Sequence, residues 1–69
     1  MYKVGKCRLK EHIASANMTQ ADLARRTGYF RSNISEWASS DHVMTLEAAK
    51  NISEILECSI DELYEWDLR

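Results

Sequence analysis

Gly28 limits this chain more than any other residue. It stands between two stretches, QADLARR and RSNISEW, whose apolar residues recur at helical spacing, and it is one of only two glycines in 69 residues. A glycine placed just past Arg25, Arg26 and Thr27 can take the left-handed conformation that ends a helix, and the two arginines suit the negative end of the helix dipole. Upstream, Thr19 followed three residues later by Asp22 forms a capping box, with Asp in place of the usual Glu or Gln. Downstream, Ile34 and Trp37 fall on one face of a second helix while Arg31, Ser32, Ser35 and Glu36 fall largely on others.

Two helices joined by so short a turn cross steeply, and the polar face of the second is left pointing outward. That is the geometry of a helix-turn-helix. Residues 18–37, MTQADLARRTGYFRSNISEW, resemble the Cro and phage-repressor-like (XRE-type) helix-turn-helix family, whose pattern is roughly TQxxLAxxxG followed by an IS pair. Thr19, Gln20, Leu23, Ala24, Gly28, Ile34 and Ser35 occupy those places. The similarity continues more weakly to residue 64 through LEAAKNISEILECSIDELY, which is similar to the family's fourth and fifth helices.

The resemblance implies an all-α fold: a compact five-helix, lambda-repressor-like DNA-binding domain over residues 1–69, with the helix-turn-helix at about 19–38. It implies a sequence-specific regulator of transcription that binds double-stranded DNA. The expected type is a small phage or prophage repressor or Cro protein that occludes a promoter. By residue-to-residue match, the base-facing positions are Phe30, Arg31, Ser32 and Glu36, with Asn33 near the backbone or an adjoining base. Arg31 can fork onto guanine O6 and N7, or clamp a phosphate instead. Glu36 can accept from a cytosine amine, orient Arg31, or stay solvated. Gln20, Arg25, Arg26, Ser39 and Ser40 are the expected phosphate contacts, with His42 as a further donor and Asp41 opposing.

Two departures from the family stand out. Phe30 replaces the usual Ser, Thr or Asp cap, so the second helix of the motif begins poorly or starts later with Ser32 as its cap. Beside it, Tyr29 matches the core position after the glycine. Where the family often buries an arginine against a glutamate, this chain has Ile13 and Ala38, and a buried ion pair exchanged as a pair for apolar packing need not weaken the fold.

Along the rest of the chain, residues 1–6 read as a loose arm carrying Lys3 and Lys6, and a first helix is expected from about Cys7 to Ala16 with Leu9 and Ile13 inward. Asn17 ends it, and Met18 staples the next helix at about residues 20–26. Ala24 must be small where the two helices of the motif cross. Thr45 caps a fourth helix whose core side is Leu46, Ala49, Ile52, Ile55 and Leu56. Ser59 with Glu62 is a capping box that opens a fifth helix, with Ile60 and Leu63 inward. That helix ends YEWDLR. Tyr64, Trp66 and Leu68 are more apolar surface than a terminal turn needs, so residues 60–69 form a self-association segment or pack back on their own core. A homodimer would set two reading helices about 34 Å apart, matching a palindromic operator.

Composition agrees with a small helical domain: 45% hydrophobic residues and no proline. No apolar run approaches the roughly 20 residues that span a bilayer, and no signal-peptide core follows the basic N-terminus, so no membrane association and a cytoplasmic location are expected. Met1 and the lack of a linker fit a complete short protein, with an N-terminal piece of a larger repressor as the alternative. Cys7 and Cys58, read as incidental and core respectively, have no metal-ligand spacing with His12 or His42. Neither a phosphate loop nor a nucleophile-base pattern is present, so neither an enzyme nor a cofactor is expected. The formal net charge is −2, yet seven basic residues stand against Glu11 and Asp22 in residues 1–33, whereas Lys50 and Arg69 face nine acidic residues in 34–69. The basic half suits phosphates. The acidic half supports a rival reading, a protein-interaction module on a helix-turn-helix fold that modulates another regulator with little or no DNA binding.

Overall fold

The computed structural model describes all 69 residues. The chain runs β1 (Tyr2–Cys7), α1 (Leu9–Ser15), α2 (Gln20–Thr27), α3 (Arg31–Ala38), α4 (Leu46–Leu56), a single 3₁₀ turn (Ile60–Leu63) and β2 (Tyr64–Leu68). The all-α, five-helix expectation is therefore corrected to four α-helices and a two-stranded antiparallel sheet. At the C-terminus the Ser59–Glu62 capping box forms, with Ser59 Oγ accepting from the Glu62 amide at 3.3 Å, but it opens only one turn. Beyond it, Tyr64, Trp66 and Leu68 alternate with Glu65 and Asp67, which is strand periodicity in aromatic-rich sequence. Tyr2, Val4 and Lys3 carry the matching alternation at the N-terminus. Tyr2 pairs with Leu68, Lys3 with Asp67, Val4 with Trp66 and Cys7 with Tyr64, so residues 1–6 are not a loose arm.

One extra residue on β1 between Val4 and Cys7 makes a bulge. Gly5 sits in it, and a Cβ there would lie 2.8 Å from the Glu65 carbonyl oxygen, so the close approach of the strands requires glycine. The ribbon is tied down at its base, where the Arg8 amide donates to Leu63 O at 2.7 Å and His12 Nε2 donates to Glu62 O at 2.7 Å.

Leu9, Leu23, Ile34, Ile52 and Leu63 are wholly buried and join α1, α2, α3, α4 and the 3₁₀ turn into one core. Ile13 and Ala38 are buried with them, consistent with apolar packing at the two positions. Three side chains depart from their expected places. Cys7 lies in the core and Cys58 is only half-buried, the reverse of the sequence reading, because Cys7 is the inward residue at the base of β1. Leu46 is exposed, being the first residue of α4, at the edge of its apolar face. Tyr64 takes the inward of its two expected places: it packs on the core, and its hydroxyl accepts the Met44 amide at 2.9 Å. Burial pushes both the Cys7 thiol and the Tyr64 phenol upward, so both are neutral at physiological pH.

Candidate nucleic-acid interface

The helix-turn-helix is set by local chemistry at each of its joints. Thr19 Oγ1 accepts the Asp22 amide at 3.1 Å and Asp22 Oδ2 accepts the Thr19 amide at 2.9 Å, so the capping box is complete in both directions. Those hydrogen bonds, with Arg25 adding to them, hold the Asp22 carboxyl below the usual carboxylate range. At the other end Gly28 takes φ +81°, and its amide closes on Ala24 O at 2.9 Å. A Cβ at Gly28 would meet nothing within 4 Å, so the dihedral and not space demands glycine. Thr27 Oγ1 then accepts the Tyr29 amide at 3.1 Å and fixes the turn into α3.

Tyr29 fills the place after the glycine. Its ring meets Trp37 edge-on at 5.5 Å and its hydroxyl accepts from Asn51 Nδ2 at 2.9 Å, so α3 is anchored to α4. Phe30 occupies the N-cap position with extended backbone and makes no side-chain cap, and Ser32 does not replace it: α3 begins at Arg31 with a poorer start. The Phe30 ring is 78% exposed.

Ile34 and Ala38 are buried and Trp37 is half-buried, which turns the rest of α3 outward. Helical spacing puts Arg31, Ser32, Ser35 and Glu36 on that outward face, with Asn33 half-buried at its border. Ser35, exposed on that face, was placed off the apolar face by the sequence reading but was not named among the base-facing positions. Its i+4 spacing from Arg31 and i+3 from Ser32 is the signal that finds it. Arg31 makes no ion pair. Glu36 is paired with His42 Nε2 at 2.9 Å, so it does not orient Arg31.

The expected phosphate residues separate into held and free groups. Arg25 pairs with Asp22, and Arg26 rests against the Met18 sulfur at 3.8 Å; both side chains are exposed. Gln20 is half-buried at the first position of α2. After α3, the Ser39 hydroxyl donates to Glu36 O at 3.2 Å, while Ser40 Oγ accepts the Cys7 amide at 3.0 Å. Ser40 has φ +67°, a left-handed conformation costing a serine about 1–2 kcal/mol, and the bond to β1 offsets that cost.

A family model described as the Cro/C1-type HTH DNA-binding domain matches residues 8–68. The chain belongs to that family. No curated protein matches it. As a Cro/C1-type domain it is a DNA-binding module, and α2, the Gly28 turn and α3 make up its helix-turn-helix. The match takes in the 3₁₀ turn and the whole of β2, so the C-terminal strand is part of this Cro/C1-type domain. No helix in it is long and apolar enough to cross a membrane.

Proposed function

We propose that this Cro/C1-type domain is a sequence-specific regulator of transcription, of the repressor or Cro kind, which reads duplex DNA with α3 and acts in the cytoplasm by covering a promoter. The observation that carries the reading is the outward face of α3, where Arg31, Ser32, Ser35 and Glu36 are held clear of the core by Ile34 and Ala38. In a helix-turn-helix the N-terminal part of the second helix meets base edges, so Arg31 is the reader, taking guanine O6 and N7. Ser32 and Asn33 contact neighbouring edges, and Phe30 packs on a thymine methyl. Glu36, whose carboxylate lies 2.9 Å from His42 Nε2, borders the same face. Gln20, Arg25, Arg26 and Ser40 set the register on the phosphates, whereas the Ser39 hydroxyl is held by Glu36 O.

The same reading includes a homodimer on a palindromic operator. By strand alternation, Tyr2, Val4, Trp66 and Leu68 share one face of the ribbon, an apolar surface that continues outward from the Cys7–Tyr64 end buried in the core. Trp66 is 44% exposed, with its indole N–H on Asp61 O at 2.9 Å, and Tyr2 and Leu68 are each 71% exposed. A second copy seated on Trp66 and Leu68 would remove that surface from water.

A fluorescence-anisotropy titration of the purified chain against random-sequence duplex, at about 0.05 M and about 0.2 M salt, tests the DNA contact. The expected result is binding that weakens steeply with salt. A folded chain that leaves the duplex free at both concentrations would favour the rival reading, a module that holds another regulator through its acidic half.

A further inference from the structure

We infer that a second phosphate seat lies outside the helix-turn-helix, where Lys6 on β1 and Lys10 in the first turn of α1 share a concavity of about 360 Å³ with Ser40, just past the end of α3. The inference rests on the DNA-binding reading and extends its footprint to segments that precede the motif. The ligand is a phosphodiester of the duplex backbone.

Three features make this concavity fit an anionic oxygen. Arg8 and Glu11, which also line it, pair with each other at 2.7 Å and cancel, whereas Lys6 and Lys10 have no carboxylate partner. Ser40 Oγ accepts the Cys7 amide, which leaves its own proton to donate, while the Ser39 proton is committed to Glu36 O. The concavity thus offers two ammonium groups and one hydroxyl donor, against the single unpaired carboxylate of Glu65. Its position matches the expected path of the backbone. An eight-residue helix such as α3 is about 12 Å long, and the major groove is about 8.5 Å deep. A helix entering by its N-terminal end therefore brings its C-terminal end to the phosphate rim, where Ser39 and Ser40 begin the wall of this concavity.

The experiment measures affinity for one fixed duplex across a salt series, using the full chain and the variants Lys6→Gln, Lys10→Gln, the two combined, Glu65→Gln and Lys50→Gln. Lys6 and Lys10 are exposed, so their replacement leaves the core intact, which circular dichroism checks. Lys50→Gln removes the same charge from α4, where Lys50 pairs with Glu54 at 2.7 Å, and so controls for net charge. Each phosphate contact contributes about 0.9 to the slope of log affinity against log salt. The double variant is expected to lose about 0.9 of slope or more with unchanged base preference, Glu65→Gln to bind more tightly, and Lys50→Gln to keep the wild-type slope. A double variant with the wild-type slope overturns the seat alone, as does an equal loss in Lys50→Gln. A wild-type chain that binds no duplex overturns the DNA reading, and the seat with it.

Discussion

In the proposed reading, Arg31 and Phe30 divide recognition and stability between two adjacent residues. Arg31 is exposed, unpaired and contributes nothing to the core, so Arg31→Ala is expected to leave the urea midpoint unchanged while removing about 1–3 kcal/mol of discrimination at one operator position. Competition titrations with single-base operator variants read that loss, and preserved discrimination at every position would count against Arg31 as a base reader. Phe30 leaves the first turn of α3 without a side-chain acceptor. Phe30→Ser supplies one and is expected to raise stability by about 1 kcal/mol in chemical denaturation, at the expense of preference for a thymine. Tyr64 works in the opposite sense. Its hydroxyl is the partner of a buried backbone amide, and Tyr64→Phe orphans the Met44 N–H, so a loss of about 1–3 kcal/mol is expected in the same assay.

Elements of this chain are specified mainly by their ends. Asp22 and Glu62 close capping boxes, and the backbone hydrogen bonds from Thr19 and Ser59 hold both carboxyls below the usual carboxylate range. Because the folded-state values are depressed, the stabilisation is complete above the unfolded values, near about 4, and is lost as pH falls through the depressed ones. Urea midpoints followed from about pH 5 to about pH 2 should drop, and Asp22→Asn combined with Glu62→Gln should flatten that drop. These same end signals were legible in the sequence: Thr19, Gly28, Thr45 and Ser59 each sit where they were expected. The strands were not foreseen. A capping box announces where a helix starts and says nothing about its length, and after Ser59 the alternation of Tyr64, Trp66 and Leu68 overrides helical continuation only because Tyr2 and Val4, sixty residues away in sequence, supply the partner strand. Cys7 was misplaced for the same reason, since its burial depends on pairing with Tyr64. The outward face of α3 was largely legible from periodicity, whereas the convergence of Lys6 and Lys10 on Ser40 required the tertiary fold. The ribbon also carries the dimer proposal. Leu68→Glu is expected to convert a dimer to monomer in sedimentation equilibrium without unfolding, and a monomeric wild type would contradict the proposal.

For the molecule as a whole, the sign of its net charge is a poor guide to its partner. The −2 balance comes from the acidic second half, while the helix-turn-helix and the segments before it hold seven of the nine basic residues. Arg25, Arg26 and Arg31 are exposed, as are Lys6 and Lys10, and the excess of carboxylates lies in the later half of the chain. In the proposed function α3 of this Cro/C1-type domain reads a defined DNA sequence. Selection of random duplexes by the purified protein at about 0.15 M salt tests it most directly, repeated with Arg31→Ala. Enrichment of one short motif with two half-sites in inverted repeat is expected, with loss of a guanine from each half-site in the variant. Recovery of no motif by the folded wild-type protein would contradict that function.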